Sequence, residues 1–253
     1  MTDRRQRQKE LRAAKRAQEQ RTASRQEFRR RIVIALLVGV GLVAILLLTS
    51  LEGGDESELP IGYTVFREQP TACGGEAPPE WVPRTFEAPE DQATLPATVT
   101  ITTSCGPIVI SLNQDAPETV GSFVFLAQAG FYDGLVFYRV LPNFSISAGD
   151  PAGNGSGGAG YGLAGEPPAA DFTYAPGVVA MATTGAGASS AFFIVTGADA
   201  EVLTPTFSVL GEVIDGMETV QTIAALPLTR AVGGSEQSRP AETVYIESIT
   251  SGE

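Results

Sequence analysis

Apolar residues along this chain follow three patterns in turn. From Ile32 to Leu51 they run almost unbroken as IVIALLVGVGLVAILLLTSL, twenty residues without a charge. From residue 97 onward they alternate with polar residues in short stretches divided by Gly, Pro and Asn. In two segments the spacing becomes helical. ATVTITTS, the turn CGP and IVISLN together predict a β-hairpin, because successive strand side chains face opposite ways. PETVGSFVFLAQAG predicts a helix opened by Pro117 and capped by Gly130, with Val120, Phe123, Phe125 and Leu126 as an imperfect apolar side. LVFYRVL, VVAMAT, AFFIVT and FSVLGEVI read as further strands. DGMETVQTIAAL reads as a second helix through Met217, Val220 and Ile223, and VYIESIT as a last strand. Many strands, two helices and long irregular loops predict a mainly β fold, a closed antiparallel barrel.

The uncharged run is long enough for a membrane. At 1.5 Å per residue it spans ~30 Å, the thickness of the hydrocarbon layer. A buried core helix would show a polar face, and a cleaved signal sequence would have a shorter apolar region ending in small residues. The run therefore predicts a single transmembrane helix over 32–51.

Charge divides at the same place. Residues 1–31 hold 12 basic and 4 acidic residues, a balance of +8, whereas the remainder holds 5 Arg, no Lys and 25 acids, a balance of −20. The positive-inside rule then puts the N-terminus in the cytoplasm and the body outside the plasma membrane. The basic head, 1–31, is read as a solvated topogenic segment, with anionic lipid or RNA as the alternative partner. Residues 52–96 contain seven prolines and ten acids, which predicts an acidic tether reaching ~35–40 Å, with Tyr63, Phe66, Trp81 and Phe86 available to pack on the domain at 97–253. Cys73 and Cys105 both fall outside the membrane on this topology, where disulfides persist. The expectation is that they pair, the alternative being two free thiols.

The chain has no histidine. That excludes Ser-His-Asp and Cys-His catalysis and His-based zinc sites, and two cysteines cannot build a cysteine-only one. An acidic body disfavours nucleic acid. Gly153, Gly155 and Gly158 satisfy a dinucleotide-type glycine pattern, but EPPAA follows where a helix would have to start, so no cofactor is expected.

GFYDGLVFYRVLPNF (130–144) followed by GDPAGNGSGGAGYG (149–162) is similar to the central signature of cyclophilins, the peptidyl-prolyl cis/trans isomerases. The resemblance continues through GVVAMAT, SSAFFIVT, FSVLGEVIDGMETV and RPAETVYIESI, with one short deletion near 185–189, and covers 97–250. It implies a closed eight-stranded antiparallel barrel with two capping helices, and an activity that needs no metal, nucleophile or cofactor. By the same resemblance Arg139, the lone Arg or Lys between Arg84 and Arg230, is the catalytic residue; the alternative is a surface salt bridge. Phe144, Phe193 and Leu203 match residues lining the proline pocket, although the two rings alone also suit barrel core. Ala182 is expected along the substrate path. Several positions depart from the family pattern: Ser145 replaces Met, Ser147 and Ala191 replace Gln, Thr183 replaces Asn, Phe207 replaces His and Val202 replaces Trp. The resemblance thus implies a monomeric isomerase acting on proline-containing peptides or unfolded secreted proteins. Its alternative is a non-catalytic proline-peptide-binding or scaffold module.

Overall fold

A computed structural model describes residues 60–89, 94–184 and 187–252. The basic head, the transmembrane helix expected over 32–51 and residues 52–59 lie outside them, and no helix among the described residues is long and apolar enough to cross a membrane. Among the described residues there are ten strands: β1 (Thr98–Thr103), β2 (Gly106–Leu112), β3 (Arg139–Leu141), β4 (Ser145–Ala148), β5 (Val178–Thr184), β6 (Gly187–Val195), β7 (Val209–Asp215), β8 (Leu228–Arg230), β9 (Gln237–Pro240) and β10 (Ile246–Gly252). The same described residues include three α-helices: α1 (Ile61–Arg67), α2 (Pro117–Gln128) and α3 (Met217–Ala224).

Eight strands form one antiparallel sheet in the order β10-β1-β2-β7-β5-β6-β4-β3, and β8 pairs with β9 as a separate hairpin. The sheet curls, but its ladder does not close as the expected barrel would. Its edges meet through an isolated bridge, Val136 with Tyr245, and through bonds from Gly134 N–H to Ile246 O (2.8 Å), Ile246 N–H to Leu135 O (2.7 Å) and Phe137 N–H to Val244 O (3.0 Å). These bonds occupy the first half of LVFYRVL, so its register with β4 runs only over Arg139–Leu141, preceded by a bond from Tyr138 N–H to Ser147 O (3.0 Å).

The helix α2 starts and stops for identifiable reasons. Pro117 fits the first turn, where a missing N–H costs nothing. The orphan N–H groups of Glu118 and Thr119 donate to the distant carboxylate of Glu166 at 3.2 and 2.7 Å. At the other end Gly130 takes φ +66°, and the N–H groups of Gly130 and Phe131 return to Ala127 O and Leu126 O, both at 2.9 Å. This double closure needs a residue at ease in the left-handed region. Val120, Phe123, Val124 and Leu126 are buried against the sheet. Phe125, off that stripe, packs edge-on against Phe86 at 5.8 Å.

Residues 60–89 are more than a tether. They form a strap of α1, a 3-10 turn (Ala72–Gly74) and extended chain, with Tyr63, Phe66 and Trp81 buried. Pro-rich composition keeps most of the segment out of regular structure, yet its aromatic residues hold it in place. The strap lies along the sheet's seam: Tyr63 OH donates to Gly134 O (3.1 Å), Trp81 Nε1 donates to Phe131 O (2.8 Å), and Thr71 bridges Thr243. Cys73 and Cys105 form a disulfide with Cα atoms 5.1 Å apart, tying the strap to the β1–β2 turn. A Cβ on Gly62 would overlap the carbonyl oxygen of Ala152, so this glycine lets α1 touch the glycine-rich loop.

Two apolar clusters share β5 and β6. Val179, Met181, Phe192 and Ile194 belong to the large interior core. Val178, Ala180, Phe193 and Val195 point the other way into a smaller cluster with Tyr174, Ala200 and Val209. Burial on both faces explains why AFFIVT reads as a continuous apolar run.

Candidate functional site

Phe193 of the smaller cluster, with the partly buried Phe144, Ala182, Leu203 and Phe207 packed against that cluster, forms the apolar floor of a cleft of about 710 Å³. Its lining includes Arg139, Phe144, Ser145, Ser147, Ala182, Thr183, Phe193, Leu203 and Phe207. Sheet register brings the first of these together. Arg139 on β3 pairs with Ser147 on β4, and Ser147 pairs with Phe193 on β6. Residues directly opposed across a sheet share a face, so the cation, the hydroxyl and the ring stand in one row. Phe193 meets Phe207 edge-on with centroids 5.4 Å apart. Neither Phe144 nor Phe193 belongs to the interior core.

Ala191, the remaining expected site residue, is 1% exposed and is not among the lining residues. Val202 is 83% exposed at the end of a 3-10 turn (Ala198–Val202), whereas Leu203 beside it faces the cleft.

Three residues that the sequence did not single out support the site. Tyr174 holds Phe207 by its backbone: its hydroxyl donates to Phe207 O (2.7 Å) and accepts from Phe207 N–H (2.9 Å). Tyr138 lines the cleft at 9% exposure, and its hydroxyl is pushed up to about 12, first by burial and then by Asp150, with Arg139 opposing. It therefore stays protonated at physiological pH. Glu236, between β8 and β9, forms an ion pair with Arg139 at 3.0 Å, the two side chains being 50% and 43% exposed. Arg139 first, and the nearby Ser238 hydroxyl second, hold the Glu236 carboxyl below the usual carboxylate range. Ser238 adds to that pull although its geometry falls short of a hydrogen bond. The salt-bridge alternative for Arg139 is thus realised at the edge of the cleft itself.

The glycine-rich loop forms part of the rim, with Gly155 close to the Tyr138 ring. The fully buried Asp150 carboxylate accepts from the N–H groups of Ala152 (2.9 Å), Asn154 (2.9 Å), Gly157 (2.8 Å) and Gly155, so four amides wrap one acid. No helix begins on these glycines. Gly153, Asn154 and Gly155 instead border the cleft. No cluster of three or more His, Cys, Asp or Glu that could hold a metal ion occurs among the described residues.

A family model described as "Cyclophilin type peptidyl-prolyl cis-trans isomerase/CLD" matches residues 98–251. Peptidyl-prolyl cis-trans isomerase A of Mycobacterium tuberculosis is 39% identical over 171 residues, covering 61% of this chain and 91% of that protein. Probable peptidyl-prolyl cis-trans isomerase B of the same organism is 34% identical over 187 residues, covering 68% of this chain and 59% of its own length. Among solved structures, a Cryptosporidium parvum cyclophilin type peptidyl-prolyl cis-trans isomerase superposes with a TM-score of 0.53 at 25% identity, covering 62% of this chain and 98% of that one. The same protein has also been crystallised in the presence of the dipeptide Ala-Pro, with the same TM-score, 0.53.

Proposed function

The chain belongs to the cyclophilin-type peptidyl-prolyl cis/trans isomerase family, and we propose that its Arg139 cleft rotates X-Pro amide bonds in proteins folding outside the plasma membrane. The reaction makes and breaks no covalent bond. Its barrier, ~18–20 kcal/mol, is the resonance that holds the amide flat, and the unassisted step takes tens to hundreds of seconds.

In this reading the substrate's proline ring sits against Phe144, Phe193, Leu203 and Phe207, and the Arg139 guanidinium engages the proline nitrogen as the amide twists. Twisting moves the nitrogen lone pair out of conjugation, and a fixed cation stabilises it in that state more than in the planar one. Only such a difference lowers the barrier. Arginine suits the role because its charge does not titrate away and its donors are rigid.

The observation that carries the reading is the row Arg139–Ser147–Phe193, which sets cation and apolar floor side by side on one face of the sheet. Ser145, Ser147, Ala182 and Thr183 would border the peptide backbone. Proline-containing segments of unfolded secreted proteins are the proposed clients, met by a monomer.

We further propose a single-pass anchor over 32–51 with the N-terminus cytoplasmic. The charge step from +8 to −20 across the apolar run supports it, as does the disulfide, a bond that persists in oxidising compartments. Turnover of X-Pro peptides tests the activity. Protease added to intact cells should remove the domain while sparing the basic head; complete protection of the domain would overturn the topology.

A further inference from the structure

We infer that Glu236 is a positioning residue for Arg139, fixing the guanidinium by its Nε–Nη2 edge and so setting how the remaining donor meets a substrate amide. This rests on the isomerase reading of the cleft. Arg139 stands on a strand of only three residues, and its side chain is 43% exposed. Its partner in register, Ser147, is short, and the next residue across, Phe193, offers a ring without a polar acceptor. Left alone, such a long side chain would sample many rotamers.

Glu236 removes that freedom. Its carboxylate accepts from Nε at 3.1 Å and from Nη2 at 3.0 and 3.3 Å. Two contacts along one edge of a planar fork define its orientation as a single contact cannot. Nη1 has no hydrogen-bond partner among the described residues and remains as the free corner. The acid is itself placed by local structure: Ala231 N–H donates to Glu236 O (2.7 Å) and Gly234 N–H donates to Ala231 O (3.2 Å), closing the turn between β8 and β9. Ala231, Val232, Gly233, Gly234 and Glu236 all face the cleft, so this hairpin is one of its walls.

Pairing also has a cost, because a carboxylate partly offsets the charge that Arg139 brings to the twisted amide. In an exposed pair water already screens that offset, while orientation is still gained. The balance favours positioning over sequestration.

The test uses the full-length chain in detergent micelles and compares Glu236→Gln with wild type. Glutamine keeps the shape and one acceptor but removes the charge. The expected result is a kcat lower by roughly two- to tenfold with KM within about twofold, since orientation in the transition state is lost and the pocket is not. On an Arg139→Lys background, where no fork exists to orient, the same substitution should have a smaller effect. A kcat that is unchanged or raised overturns the proposal, a rise meaning that Glu236 sequesters Arg139. The Nε–H resonance of Arg139, identified by its loss in Arg139→Ala, decides the positioning independently of turnover. Its exchange with water should quicken in Glu236→Gln, and an unmoved signal also overturns the proposal. Wild type without any turnover would instead overturn the isomerase reading, leaving the Nε–H signal to judge the positioning alone.

Discussion

Arg139 and Phe193 lie two strands apart, each in register with Ser147 on the strand between them. That relationship puts a permanent cation beside an apolar floor with no titrating group required between them. The rate should therefore be insensitive to pH over a wide range. The chain has no histidine, burial pushes Tyr138 up to about 12, and Glu236 is held below the usual carboxylate range by Arg139 and then Ser238. Because the folded Glu236 carboxyl is depressed, its pairing is fully present above the unfolded value and is lost as pH falls through the folded one. Peptide isomerisation followed by NMR exchange should give a flat kcat/KM from roughly pH 6 to 9, declining only on the acid side. A sharp change near neutrality would point to a group outside this site.

Phe207 closes the cleft against Phe193 and is held by its backbone to Tyr174. Replacing it with Ala removes apolar contact without disturbing Arg139. Losing about 1–2 kcal/mol of apolar burial should raise KM roughly tenfold and leave kcat within about twofold. Steady-state kinetics with a short X-Pro peptide checks the split.

Trp81 is the chain's one tryptophan and is 4% exposed in the strap. Its emission should be blue-shifted in the native protein and move to the red when the strap leaves the seam. Fluorescence and far-ultraviolet circular dichroism should give coincident urea transitions if strap and sheet unfold together. Trp81→Phe, which loses the bond to Phe131 O, should cost about 1 kcal/mol.

The Cys73–Cys105 disulfide closes a loop with a sequence separation of 32. By loop entropy it is worth ~3–4 kcal/mol. Reduction, or the double substitution to Ser, should lower the urea midpoint accordingly. An unchanged midpoint would mean that the strap's aromatic contacts hold it without the bond.

Local rules made much of the fold readable. The β1–β2 hairpin, α2 with its Gly130 cap and α3 follow from periodicity and turn residues, and strands β5 to β7 from short apolar runs. Features fixed by distant partners were not readable. Glu166 caps α2 from 47 or more residues away, and the seam depends on Gly134 meeting Ile246. The strap is legible only in part. Its aromatic residues mark it as able to pack, but Tyr63 and Phe66 at helical spacing in a seven-residue helix beside Pro60 and Pro70 are too short a signal among so many prolines.

The candidate site divides in the same way. Arg139 stands out as the one Arg or Lys between Arg84 and Arg230, and Phe144 and Phe193 through their family resemblance. Glu236 lies in TRAVGGSEQSRP, where turn residues are plain but no apolar alternation marks β8 and β9. Tyr138 and Tyr174 read as ordinary strand and loop aromatics until their hydroxyls are located.

The most direct measurement follows cis-to-trans relaxation of X-Pro peptides with wild type and with Arg139→Ala. Its side chain is exposed and its ion pair lies at the surface, so the substitution should change stability by less than ~1 kcal/mol. The account predicts acceleration proportional to wild-type concentration and a loss of about a hundredfold in the variant, the scale of one missing electrostatic stabiliser. Equal acceleration by both proteins, or none by a fully folded wild type, would contradict it.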